Sequence, residues 1–151
     1  MNSNQSVATP QIFVDEVARL FNIMFAYDMA ASRENAKCIG YFIEADNSLK
    51  MDWPLGDWLW LNPPFKRLGL WVDKCIEQKA RGCKIVSIWP LSGDLNQIDV
   101  WVNCDVSIIH GRIWPEVRGV MLCRWDAKLP PAIRGLRWDK KNLVHSWGAR
   151  A

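Results

Sequence analysis

Residues 58–65 read Trp-Leu-Trp-Leu-Asn-Pro-Pro-Phe, an apolar run that ends in an amide, two prolines and an aromatic ring. Proline fixes its own backbone angle and carries no N–H. Pro63 and Pro64 therefore stiffen a corner that offers two acceptors, the Asn62 side-chain oxygen and the Pro63 carbonyl, with the plane of Phe65 just beyond. Two acceptors beside a ring suit a planar conjugated amine. Accepting both of its hydrogens frees the nitrogen lone pair from the ring that carries it, so the nitrogen can attack an electrophile such as a methyl group. Phe65 would stack on the base bearing that amine, a contact worth about 1–3 kcal/mol for base–aromatic pairs in general. In a duplex the base would first have to leave the stack and enter a receiving pocket.

Such a corner must be delivered by a scaffold, and the apolar runs indicate which. Trp58–Leu61 reads as a buried strand, as do residues 84–91 (KIVSIWPL), and between them residues 66–82 carry an apolar stripe beside a polar face, with Gly82 placed to close a helix. Earlier in the chain, Thr9 and Pro10 read as an N-cap and first helical residue, and the spacing of Phe13, Val17, Leu20 and Phe21 predicts a helix over residues 10–22. Residues 23–32 (IMFAYDMAAS) read as a short strand ending at Asp28, followed by a helix opened by Ser32 through SRENAKCI. Leu95, Ile98, Trp101 and Val102 suggest a short helix, and residues 106–113 and 119–125 two more strands. Strands buried on both faces and separated by helices imply an α/β fold, a mostly parallel sheet with helices on both faces. Ligands bind such open sheets at the carboxyl ends of the strands, which is where the corner would sit.

The chain of 151 residues is half hydrophobic, enough for one domain with a sizeable core. Pro130-Pro131 is expected to mark the edge of the compact region, so that residues 1–127 form the domain and 128–151 a tail, either part of the same domain or flexible. Six of the nineteen Lys and Arg residues fall in that tail against one acidic residue, Asp139: Lys128, Arg134, Arg137, Lys140, Lys141 and Arg150. Interleaved with Trp138 and Trp147, they have a composition suited to gripping a phosphate backbone and stacking on bases; a solvated end is the equal alternative. Trp58, Trp60, Trp71 and Trp89 read as core, with only Trp138 and Trp147 outside it. The five cysteines show no C-x-x-C pair and, with two histidines, no zinc-like spacing, so no metal is expected and the thiols read as reduced core residues. The N-terminus lacks a basic start and an apolar middle, and no run is long enough to cross a bilayer; the expectation is a cytoplasmic protein that does not bind membranes.

Asn-Pro-Pro-Phe after an apolar strand resembles the fourth motif of the amino-methyltransferases that use S-adenosylmethionine. The resemblance extends to the phage-type DNA adenine methyltransferases of the Dam family through Thr9-Pro10-Gln11, then Asp28-Met29-Ala30-Ala31-Ser32-Arg33-Glu34-Asn35-Ala36-Lys37-Cys38, Tyr41-Phe42, Asp46 and Asn62-Pro63-Pro64-Phe65 in that order, covering residues 9–92. It implies a Rossmann-like fold that binds S-adenosylmethionine and transfers its methyl group to the exocyclic amine of adenine in DNA. On these positions, Asp28, Ala30 and Ala31 would form the cofactor turn, Thr9 and Pro10 would lie near the methionine part, and Asp46 would meet the adenine end of the cofactor. Asn62, Pro63, Pro64 and Phe65 would hold the target. Lys66 and Arg67, followed by Arg134, Arg137, Lys140 and Lys141, would meet DNA phosphates. There is no G-x-G in the Asp28 turn, and after residue 92 the likeness thins to Gly111-Arg112.

Other readings stay open on the same residues. The corner could hold the amine of cytosine, of RNA or of a protein glutamine, and the chain could be a noncatalytic relative that only binds nucleic acid. Asp28 could instead cap backbone, Asp46 shape a turn, and Lys66 and Arg67 open a helix. A second copy could enlarge so small a DNA-facing surface.

Overall fold

The computed structural model describes residues 8–91, 97–117 and 119–148. Its elements run α1 (Gln11–Phe21), β1 (Phe25–Ala31), β2 (Gly40–Ile43), β3 (Trp58–Leu61), α2 (Leu68–Ala80), β4 (Lys84–Pro90), α3 (Gln97–Trp101), β5 (Asp105–His110), β6 (Val120–Trp125), β7 (Ala132–Trp138) and β8 (Leu143–Trp147). Two 3-10 turns, Glu44–Asp46 and Ser48–Lys50, follow β2. Of the expected short helix, Leu95 lies outside the described residues and α3 supplies the rest.

All eight strands join one sheet in the order β2-β1-β3-β4-β6-β5-β7-β8. The first four are parallel neighbours, and β5 is parallel to β7. However, β6 lies antiparallel between β4 and β5, and β8 antiparallel to β7. The sheet is therefore mixed, with four parallel and three antiparallel pairings. The connection from β5 to β6, residues 111–119, carries no crossover helix among its described residues, so β6 returns antiparallel beside β5 and pairs with β4 on its other side. Because β6 is antiparallel to both β4 and β5, those two run the same way, and the carboxyl ends of β1, β3, β4, β5 and β7 share one edge of the sheet.

Alternation along the buried strands divides the core by face. Leu59, Leu61, Ile85, Trp89, Met121, Cys123 and Trp125 pack with Leu68, Trp71, Val72 and Cys75 of α2 on one side. Trp60, Val86, Ile88, Leu122 and Leu136 pack with Phe13, Val14 and Val17 of α1 on the other. Helices thus cover both faces. Gly82, at φ +105°, closes α2 as expected, with the Cys83 N–H bonded back to the Gln78 carbonyl at 3.0 Å.

Three expectations fail for identifiable reasons. The segment after β1 forms turns instead of a helix. The Asp28 carboxylate takes the Lys37 N–H at 3.0 Å and so folds residues 32–37 back over the strand, while Ser32 caps a turn through the Asn35 N–H at 3.2 Å. The strand itself continues past Asp28 to Ala31. Finally, Pro130-Pro131 does not end the compact region: the two prolines sit in the connection before β7, where no ladder bond is asked of them.

Residues 132–138 and 143–147 are therefore strands of the sheet. Glu16 of α1 accepts the Leu143 N–H at 3.1 Å and Arg19 donates to the Leu143 carbonyl at 3.0 Å, fastening β8 to the first helix. Trp138, expected outside the core, is 5% exposed and meets Phe13 edge-on at 5.0 Å. Trp147 is 45% exposed.

Candidate active site

The corner and the tip of β1 meet through the sheet register. Asp28 lies opposite Trp60 of β3 on one side and Tyr41 of β2 on the other. Asn62 therefore follows two residues after the partner of Asp28, at the same carboxyl edge. Pro63 is buried, whereas Asn62, Pro64 and Phe65 are half-buried.

A third segment reaches the corner. The Asn62 Nδ2 donates to the Thr9 hydroxyl at 3.0 Å, and Thr9 is 1% exposed. Thr9 was expected to cap the first helix, but Pro10 occupies the cap position and no side chain caps α1. The hydroxyl that helix grammar assigns to the helix is directed to the amide.

Phe65 packs between the two core clusters instead of standing open beyond the corner. Its ring meets Trp114 edge-on, centroids 5.1 Å apart. Trp114 belongs to the loop that follows β5 and is 1% exposed. Gly111 seats this loop: at φ +113° it lies so close to the end of β7 that a Cβ there would come within 2.1 Å of the Trp138 carbonyl oxygen. Nothing in the order of residues distinguished Trp114 among ten tryptophans, although Gly111-Arg112 pointed to the loop.

At the tip of β1, Asp28 is 3% exposed and its carboxylate accepts N–H groups from Ala30 at 3.3 Å and Lys37 at 3.0 Å. Burial pushes its pKa up, against the pull of those two bonds. Ala30 and Ala31 add no side chain beyond Cβ. Cys38, beside this turn, has its thiol pushed up to about 12 by burial and by the charge of Asp28. The other four cysteines are buried and free. At the end of β2, Asp46 is exposed and accepts the Ile43 N–H at 2.7 Å, shaping a turn before Asn47 at φ 53°. Ser48 anchors that loop to β1 by donating to the Met29 carbonyl at 2.7 Å.

The basic residues separate into two groups. Lys66 and Arg67 are exposed where α2 begins, and a cleft of about 390 Å³ runs from Arg67 along α2 past Asn47 and Lys50. Arg137, Lys140 and Lys141 are exposed at the carboxyl end of β7. Lys140 shares a cleft of about 280 Å³ with Arg112, whose Nη1 donates to the Pro115 carbonyl at 2.6 Å. Arg134 does not join them. It is 6% exposed and paired with Asp105 at 2.5 Å, while Arg124 takes the other oxygen of the same carboxylate at 2.8 Å. Arg134 lies on the inward face of β7, whereas Arg137 is turned outward, so Arg134 leaves the set of phosphate candidates. Arg150 lies outside the described residues.

No cluster of metal-ligating side chains occurs among the described residues, and no helix there is long and apolar enough to cross a membrane. The arrangement is a proline-stiffened corner beside the tip of β1, backed by an indole and with exposed cations near it.

A family model described as DNA N-6-adenine-methyltransferase (Dam) matches residues 2–110, more than half of the chain. The chain is 38% identical over 63 residues to a DNA N-6-adenine-methyltransferase of Escherichia phage T1, covering 42% of this chain and 26% of that protein. It is 28% identical over 104 residues to a DNA N-6-adenine-methyltransferase of Haemophilus phage HP1 (strain HP1c1), covering 68% of this chain and 60% of that protein. The chain thus spans less than two thirds of the length of either relative.

Proposed function

The chain belongs to the DNA N-6-adenine-methyltransferase (Dam) family, and from that premise we propose that it transfers a methyl group from S-adenosylmethionine to the exocyclic amine of an adenine flipped out of DNA. The mixed sheet is read as a variant of the Rossmann-like methyltransferase fold, with donor and target side by side at its carboxyl edge.

The residues at that edge fit the donor. Asp28 braces the turn around Ala30 and Ala31, where small side chains leave the backbone open to close approach. Asp46 is an exposed carboxylate at the end of the neighbouring strand, eighteen positions on, suited to accept from sugar hydroxyls. Thr9 and Pro10 stand at the start of α1 beside the corner. When bound, S-adenosylmethionine supplies a methyl group on a sulfonium that leaves readily.

The chain's own part is mainly alignment. The Asn62 Oδ1 and the Pro63 carbonyl accept the two amine hydrogens, holding the nitrogen with its lone pair turned toward the donor side. Both acceptors strengthen their hold as the amine becomes cationic in the transition state. Phe65, held in place by Trp114, contacts the base plane, and the proton leaves to solvent after transfer. Lys66 and Arg67 on one side, and Arg137, Lys140 and Lys141 with Arg112 on the other, supply cations for the phosphates flanking the extruded base.

The observation that carries this reading is the register of β1 against β3, which puts the acceptor corner one strand from the Asp28 turn. The test is incubation of purified protein with unmethylated DNA and labelled S-adenosylmethionine, followed by nucleoside analysis. N6-methyladenine is expected. Label on cytosine, on RNA or on protein alone, or no transfer, overturns it.

A further inference from the structure

The bond between Thr9 and Asn62 has a consequence for the chemistry just described. An asparagine amide is two-faced, with an acceptor oxygen and a donor nitrogen branching from one carbon. Only the oxygen can receive a hydrogen from a target amine; the nitrogen in the same place would set N–H against N–H. A hydroxyl partner can accept from the nitrogen or donate to the oxygen; here it accepts from Nδ2, which leaves Oδ1 on the other branch of the planar group.

We propose that the Thr9 hydroxyl is a positioning residue for this reaction: by accepting from the Asn62 Nδ2, it holds the amide in the orientation that presents Oδ1 to the target amine. Three observations support it. The bond is 3.0 Å long and joins segments 53 residues apart. Thr9 is 1% exposed, so water does not compete for its hydroxyl. The hydroxyl is also not engaged by α1, because Pro10 takes the cap position and no side chain caps the helix.

This role rests on the reading of Asn62 as the amine acceptor, and it assigns the Thr9 hydroxyl to the target side instead of the donor side. Thr9→Val keeps the shape and removes the hydroxyl, whereas Thr9→Ser keeps the hydroxyl. Wild-type turnover on DNA is measured first. If the wild type methylates no nucleobase amine, the reading of the corner fails. If it is active, the variants decide the present inference alone.

The expected result for Thr9→Val is a fall in kcat on the order of 10- to 100-fold at saturating donor, the effect of a misplaced reacting group. Donor affinity by calorimetry should stay near the wild-type value, and Thr9→Ser should recover most of the loss. If Thr9→Val folds poorly, Thr9→Ala, which also lacks the hydroxyl, carries the same test. Unchanged kcat in the hydroxyl-free variant overturns the proposal. So does weakened donor binding with normal kcat at saturation, which would make Thr9 a ligand of the donor.

Discussion

Phe65 and Trp114 meet edge-on with planes at 64°, joining the corner after β3 to the loop after β5. Such a pair contributes about 0.5–1.5 kcal/mol beyond its area burial. Its larger effect is to fix the plane of the ring proposed to meet the target base.

Phe65→Ala should therefore lower kcat/KM for DNA strongly, with a loss of stability because the ring packs on both core clusters, and Asn62→Ala should lower it through loss of an acceptor while the fold remains intact. Circular dichroism and methyl transfer on the two purified variants check this. Near-normal turnover in both removes the corner from the mechanism.

Trp114→Ala should affect stability as well as activity. The residue is fully buried, and truncating a large aromatic side chain in a core costs about 3–5 kcal/mol. Urea unfolding measures that cost. Trp114→Phe should retain most of the stability, and turnover should then follow how well Phe65 is held.

Arg134 and Arg137 are three residues apart on β7 and should behave oppositely. Arg134→Ala leaves the buried Asp105 short of a partner, a loss of about 3–5 kcal/mol for a broken buried pair. Arg137→Ala, like Lys140→Ala or Arg112→Ala, should leave the melting temperature almost unchanged. Each of these three should weaken DNA binding and reduce the slope of log affinity against log salt by about one. Slopes that stay at the wild-type value would remove the β7 end from the DNA-facing surface.

Asp28 should leave a signature in stability against pH. Burial favours its neutral form, so the folded state binds the proton more tightly than the unfolded chain does. The resulting stability is full below the unfolded carboxyl pKa and is lost as pH rises through the raised folded value. Relative to Asp28→Asn, the wild type should lose stability across that window and then level off. Urea titrations from about pH 3 to 8 test it, and a flat difference throughout would contradict the burial argument.

The thiols supply an independent check on the core. Cys38 has its pKa pushed up to about 12, and burial raises those of Cys75, Cys83 and Cys104 as well. Alkylation at about pH 8 should be slow in the native protein and rapid once it is unfolded, because only the thiolate reacts. Rapid labelling of the native protein would mean that these side chains are not packed as described.

Much of the scaffold was legible because its signals are local. The runs that became β3, β4, β5 and β6 are continuous apolar segments, and the Gly82 closure of α2 is a matter of adjacent residues. The corner itself is equally local, since two prolines stiffen the backbone wherever the chain carries them. The segment after β1 obeys a longer-range contact instead: Ser32 and good helix formers are present, but the carboxylate of Asp28, four positions before Ser32, takes the Lys37 amide.

The chain's order of residues by itself determined that a proline-stiffened corner follows an apolar strand, which runs are buried and that a helix begins just after Thr9 and Pro10. Only the tertiary structure decided that the Thr9 hydroxyl faces Asn62, that Trp114 backs Phe65, that β6 reverses inside the sheet, and that Arg134 turns inward while Arg137 turns outward. Rigidity and hydrophobic periodicity belong to neighbouring residues, so they are written along the chain. A hydrogen bond or ring contact between distant segments depends instead on strand order and register, which packing of the whole sheet selects.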